Sequence, residues 1–262
     1  PSVHDEKVEE SKVKRTHVTL RVRKLAKKLN VNIDAIMTSG RITENDIKQA
    51  AKGSIKGESV ELKGLRKITA EHMVESFKNT VPVTNFYDLD VTNLWNKRQI
   101  EKIVAQKKGI KLTFMAYIVE ALTATLKNHP YMNSSLVGNN LILKKEYNIG
   151  FAVDSGEGLI VPVIKNADKK KLYDLAKEIV DLAKKAQTRK VTLDELKGGT
   201  FTISNLGSIG VKYFTPVINY PESAILGLGK IEDQIGTNGE DIILKKVIPL
   251  SLTYDHKIID GA

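Results

Sequence analysis

Near the C-terminal end of the sequence His256 and Asp260 stand four residues apart, followed by Gly261. An apolar, strand-like stretch leads into them, Val247-Ile248-Pro249-Leu250-Ser251-Leu252-Thr253. A strand that ends in a histidine can hold one imidazole rigidly at a sheet edge. Imidazole titrates near pH ~6.5, so it can take a proton from a thiol or a hydroxyl at neutral pH. The spacing alone is a weak signal, because a surface imidazole beside a solvated carboxylate would satisfy it equally. A second polar position closes another strand-like run, where Thr200-Phe201-Thr202-Ile203 leads into Ser204-Asn205 and then Leu206-Gly207. From its own surroundings Ser204 reads first as a turn serine that caps backbone. Gly207 and Gly210 read as turn glycines, since no Gly-x-Gly-x-x-Gly or Walker pattern is present. The sequence has no cysteine, which excludes disulfides, a thiolate nucleophile and Cys-based zinc, and no metal site is expected.

The elements that must carry these residues follow from periodicity. Val22, Leu25, Ala26 and Leu29 recur at helical spacing, and Thr43 opens a second short helix with acids in its first turn. These two helices make a small unit over residues 17–52, between charged or glycine-containing linkers at 1–16 and 53–60. A larger domain, 61–262, begins with a helix near Leu65. A strand over 83–91 comes next, then a helix capped at Thr92 or Asn93. Residues 112–126 are apolar nearly all round, which predicts a buried helix ending at Asn128-His129-Pro130. His129 reads as a helix-end residue. Strands over 147–153 and 159–164 flank a hairpin-like turn, and Leu172, Leu175, Ala176, Ile179, Leu182, Ala183 and Ala186 form an amphipathic stripe.

Composition narrows the function classes. With 262 residues, 41% of them hydrophobic, the chain can bury a real core, and 27% charged residues with no apolar run near ~20 argue against a membrane span. The net charge of +10 is spread along the chain rather than clustered with aromatics, so nucleic acid is not the expected partner. Absence of cysteine fits a reducing compartment; the expectation is the cytoplasm, with the mitochondrial matrix as the alternative. The start at Pro1 suggests a piece of a longer chain.

Longer blocks carry a resemblance. Tyr-Asp-His-Lys-Ile-Ile-Asp-Gly-Ala at 254–262 resembles the active-site signature of the dihydrolipoamide acyltransferases, the E2 components of 2-oxoacid dehydrogenase complexes. This family includes the trimeric chloramphenicol acetyltransferases. The blocks KLTFMAYIVEAL, NIGFAVDSGEGLIVPVIKNADKK, GGTFTISNLGSIG and FTPVINYPESAILGLG extend it in order over 61–262. Val22-Arg23-Lys24-Leu25-Ala26 and Gly40-Arg41-Ile42-Thr43-Glu44-Asn45-Asp46-Ile47 resemble the E2 peripheral subunit-binding domain, with Met37-Thr38-Ser39 in a shortened loop.

The resemblance implies an α/β fold, a chloramphenicol-acetyltransferase-like domain with a mixed sheet and flanking helices, after a small helical binding domain. It implies acyl transfer from dihydrolipoamide to coenzyme A, the lipoyl group riding on an upstream domain absent from this chain. His256 would be the base and Ser204 the oxyanion donor. Asp260 would hold the site together through an arginine, for which Arg66 is the candidate. A Ser204–His256–Asp260 triad is not favoured, because the substrate brings its own thiol nucleophile. Arg23 and Lys27 match the contacts to the dihydrolipoamide dehydrogenase (E3) or the 2-oxoacid decarboxylase (E1); the family often has arginine where Lys27 stands, and often histidine after the proline in Val81-Pro82-Val83. Serine at 204 leans toward acetyl or branched-chain acyl groups, and the Gly-Ser-Ile-Gly run tilts slightly to branched-chain. The family assembles as homotrimers joined into 24- or 60-subunit cores, partly through a helix beyond the position of Ala262, so this chain is expected as a trimer. A non-catalytic E3-binding organiser is the alternative class, and the presence of His256, Ser204 and Asp260 argues against it.

Overall fold

The computed structural model describes residues 18–29, 31–36, 40–51 and 60–261. The expected linker at 1–16, the shortened loop at 37–39 and all of the expected linker at 53–60 but Val60 lie outside the described residues. The chain divides into two compact units, Pro1–Glu61 and Leu62–Ala262.

In the first unit α1 spans Leu20–Lys28 and α2 spans Glu44–Ala51, with a 3-10 turn at Ile33–Ala35 between them. The Thr19 hydroxyl caps α1 by accepting from the Val22 N–H. At α2 the cap is reciprocal. The Thr43 hydroxyl accepts from Asp46 N–H at 3.3 Å, and the Asp46 carboxylate accepts from Thr43 N–H at 2.7 Å. Val22 and Ala26 from α1 meet Ile42 and Ile47, a core of four buried side chains among the described residues. So small a core depends on caps for a large share of its stability.

The second unit follows the order α3 (Gly64–Asn79), β1 (Pro82–Asp90), α4 (Thr92–Lys107), α5 (Phe114–Asn128), β2 (Ser134–Val137), β3 (Asn140–Leu143), β4 (Ile149–Phe151), β5 (Val153–Asp154), β6 (Leu159–Ile160), β7 (Val163–Ile164), α6 (Leu172–Gln187), α7 (Leu193–Leu196), β8 (Phe201–Asn205), β9 (Ala224–Leu228), β10 (Glu232–Asn238) and β11 (Asp241–Asp255). Its main sheet runs β1-β11-β9-β8-β4-β7, with β10 paired to the outer half of β11. It is mixed: β8 lies parallel to β4 and β9, while β11 runs antiparallel to β1, β9 and β10. Alternation sorts the faces. Phe201, Ile203, Leu226 and Tyr254 join the core with α5 and α6, while Thr202, Ser204, Gly227, Ser251 and Thr253 occupy the other face.

Three expectations are corrected. Residues 114–128 are not buried all round. Ala116, Val119, Thr123 and Leu126 pack inward, whereas Ile118, Ala121 and Leu122 line an apolar cavity of about 450 Å³ against the sheet. Neither Thr92 nor Asn93 caps α4, whose N-cap is Val91. Instead the Asp90 carboxylate accepts from both the N–H and the hydroxyl of Thr92, at 2.9 and 2.6 Å. The terminal strand is also longer than its apolar stretch predicts, because Ile242 and Leu244 alternate with neighbours outside the core and pair with β10.

Candidate active site

His256 stands one residue past the end of β11. Its N–H donates to the carbonyl of Val81, just ahead of β1, at 2.8 Å. The ring packs at 6.0 Å from the buried Tyr254 ring, and its side chain remains 41% exposed. A fixed main chain and an open ring suit a base that must meet a proton from outside. The Asp260 carboxylate lies 3.8 Å from His256 Nδ1, beyond hydrogen-bond reach, and is 98% exposed.

Ser204 is half-buried on β8, whose last residue is Asn205. Strand register separates it from His256. Ser204 stands level with Gly227 on β9, and Gly227 stands level with Ser251 on β11. His256 is five residues beyond Ser251. At ~3.3 Å per residue and ~4.8 Å per strand spacing, the two Cα positions are roughly 19 Å apart. Base and donor must approach one reacting centre to ~3 Å, so they cannot serve a common site within one chain. The same distance excludes a Ser204–His256–Asp260 triad in one chain. After Ser204 the strand turns through Gly207, where an added Cβ would lie 2.5 Å from the carbonyl oxygen of Gly229, and through Gly210 at φ 87°. These glycines serve a close approach and a left-handed turn.

Arg66 lies exposed in the first turn of α3 and makes no ion pair with Asp260 among the described residues of the single chain. Both side chains are solvated, so nothing desolvates either charge enough to favour a pair. Arg23 and Lys27 are exposed on α1, away from Val22 and Ala26, with no carboxylate partner among the described residues.

The structure adds residues that sequence reading missed. Between the end of α4 and the start of α5 lies a cavity of about 540 Å³ lined by Arg98, Lys102, Gln106, Lys111 and Thr113, with no carboxylate in its lining. Arg98 Nε and Thr113 Oγ1 are buried there without a hydrogen-bond partner among the described residues. The Arg98 guanidinium lies 4.8 Å over the Phe114 ring, which holds it in place. Unpaired donors and three cations around one hollow suit an anion. The available signal was Lys111-Leu112-Thr113 at a helix start, but Arg98 is fifteen residues upstream and nothing in the sequence joins them.

Residues 55–262 match the catalytic-domain profile of the 2-oxoacid dehydrogenases acyltransferase family. The dihydrolipoyllysine-residue acetyltransferase component of the pyruvate dehydrogenase complex from Staphylococcus epidermidis is 38% identical over 98% of this chain and 68% of its own length. The protein of that name from Staphylococcus aureus is 39% identical over 92% of this chain and 65% of its own length, so this chain spans about two thirds of these relatives. Among solved structures, a dihydrolipoamide acetyltransferase from Azotobacter vinelandii superposes with a TM-score of 0.75 at 44% identity, over 79% of this chain and 87% of that one. That work concerns the roles of a serine, a histidine 52 residues later and an asparagine four residues after it, the spacing of Ser204, His256 and Asp260 here. The cubic core of a pyruvate dehydrogenase multienzyme complex superposes with a TM-score of 0.75 at 43% identity, over 79% of this chain and 87% of that one. The slight tilt toward branched-chain acyl groups finds no support among these relatives, which carry the acetyl name.

Proposed function

The chain belongs to the 2-oxoacid dehydrogenase acyltransferase family, and from that premise we propose that it transfers an acetyl group from dihydrolipoamide to coenzyme A in a pyruvate dehydrogenase complex. The observation that carries the reading is His256, main chain clamped at Val81 and ring open to solvent, in a chain with no thiol of its own. A thiol with a pKa near ~8.5 is mostly protonated at neutral pH, so its attack on a thioester needs a base. His256 takes the proton of the coenzyme A thiol as sulfur attacks the acyl carbonyl. The hydroxyl of Ser204 donates to the oxyanion that develops there. His256 then returns the proton to the departing lipoyl sulfur.

The roughly 19 Å between base and donor on the strand lattice asks for His256 from one copy and Ser204 from another. A homotrimer with its sites between neighbours meets that demand, and a larger core built from trimers, as in the cubic relative, is the assembly we propose. The cavity around Arg98 and Thr113 would take phosphates of coenzyme A, which place three acidic groups where its cations lack partners. The first unit would dock the E3 or E1 enzyme through Arg23 and Lys27. An acyl-transfer assay with acetyl and branched-chain dihydrolipoamide thioesters tests the reading. Coenzyme A-dependent transfer that prefers acetyl and vanishes in His256→Ala is expected; turnover that survives that change would refute it.

A further inference from the structure

The residue that ends β11 is a buried acid. Asp255 is 3% exposed, and burying a carboxylate is costly unless it is fully partnered. Its Oδ1 accepts from Val81 N–H at 2.9 Å and from Lys257 N–H at 3.1 Å. Its Oδ2 lies 3.4 Å from Lys257 Nζ, and that ammonium also donates to the carbonyl of Asn79 at 2.5 Å. The register shows why a side chain is needed here. Asp255 stands opposite Pro82, which has no N–H to continue the ladder. The carboxylate therefore reaches one residue back, to the Val81 N–H, while the Val81 carbonyl receives the N–H of His256. One residue at the entry to β1, Val81, thus grips both 255 and 256 through its N–H and its carbonyl. The carbonyl of Asp255 in turn accepts from the N–H groups of Ile258 and Ile259 at 2.9 and 3.1 Å, which winds the turn that follows the histidine.

We propose that Asp255 is a positioning residue for acyl transfer: its buried carboxylate fixes the main chain of His256 against the start of β1, so that the imidazole meets the thiol in one orientation. The proposal rests on the reading of His256 as the base. For stability alone a neutral acceptor for the Val81 N–H would suffice, without the desolvation cost of a carboxylate. A general base is different, because misplacing it by about 1 Å can cost on the order of 10²-fold in rate.

The test is Asp255→Asn in the full chain, an isosteric change that keeps one acceptor and removes the charge that ties Lys257. Steady-state kinetics and the NMR signal of the His256 ring, assigned by its loss in His256→Ala, are read together. The expected result is a fall in kcat of roughly 10- to 10²-fold with KM for both substrates within about twofold. The ring signal should broaden or double as the imidazole samples more than one orientation. Wild-type kcat, a loss confined to KM, or an unchanged single ring signal would overturn the proposal. If the asparagine variant does not fold, Lys257→Met carries the same test: it frees Oδ2 and the tie to Asn79, and a several-fold loss in kcat is expected against wild-type turnover as the refuting result. A wild-type chain without acyl transfer would strike the proposed function, and the ring signal would still decide whether Asp255 positions His256. An active wild type with an unaffected Asp255→Asn would strike only the positioning role.

Discussion

Glu222 is a buried carboxylate of the second unit, and replacing it with glutamine should make the protein increasingly more stable than the wild type as pH rises. Its side chain is 5% exposed between Tyr220-Pro221 and β9, and its Oε2 has no hydrogen-bond partner among the described residues. Burial pushes its carboxyl from the ordinary 4.5 up to about 8, with hydrogen bonds from Thr202 and Asn219 acting in the opposite sense. Asn219 Nδ2 donates to Oε1 at 3.1 Å, and Asn219 Oδ1 lies 3.0 Å from His72 Nε2. The sign follows from proton counting. Below about pH 4.5 the group is neutral in both states and has no effect. Between that pH and about 8 the unfolded chain releases a proton that the folded chain keeps, so stability falls as pH rises; above about 8 the loss is complete. At about 1.4 kcal/mol per tenfold change in proton affinity, the loss reaches at most ~5 kcal/mol. That is a large part of the ~5–15 kcal/mol that stabilises a typical domain. Glutamine keeps the acceptor for Asn219 and the shape, and leaves its amide as unpartnered as Oε2 is now. Glu222→Gln should therefore match the wild type at pH 5 to within ~1 kcal/mol and exceed it by roughly 3–5 kcal/mol at pH 8. Urea unfolding followed by the fluorescence of Trp95, the single tryptophan and a residue of the second unit, reads this domain at matched protein concentration. A difference that does not change with pH, or a variant that is less stable at pH 8, would refute the reasoning.

Four further outcomes are expected. Ser204→Ala should lower kcat by roughly 10²–10³-fold with little change in KM, because its contact forms in the transition state. If sites are shared between copies, co-refolded Ser204→Ala and His256→Ala chains should recover about a quarter of wild-type turnover by random pairing, whereas a mixture as inactive as its parents would count against shared sites. Arg98→Gln should raise KM for coenzyme A by about tenfold or more and leave KM for the lipoyl substrate unchanged, since it removes a buried donor facing a phosphate; equal effects on both substrates would place the phosphates elsewhere. Binding of the first unit to E3 or E1 should weaken as salt rises and in Arg23→Ala, and a calorimetric titration indifferent to both would remove the electrostatic docking surface.

Local pattern made much of this protein legible. The stripe at Leu175, Ala176, Ile179, Leu182 and Ala186 is the buried face of α6, and Thr43 caps the start of α2, where the sequence put a helix opening with acids in its first turn. Ser204 and His256 could each be placed at a strand end, because periodicity and turn residues act within a few positions of themselves. What periodicity cannot carry is register. Only the pairing of β8, β9 and β11 puts Ser204 and His256 at opposite ends of one sheet, too far apart to meet one reacting centre within a chain. Only packing leaves Arg66 and Asp260 both in solvent, without an ion pair between them. The hollow of Arg98 and Thr113 forms because α4 and α5 bring positions fifteen apart to one wall. Glu222 and Asp255 look like surface acids in the sequence, since charge alone says nothing of desolvation. Their burial, and with it the raised pKa of one and the grip of the other on His256, exists only once the chain has closed around them.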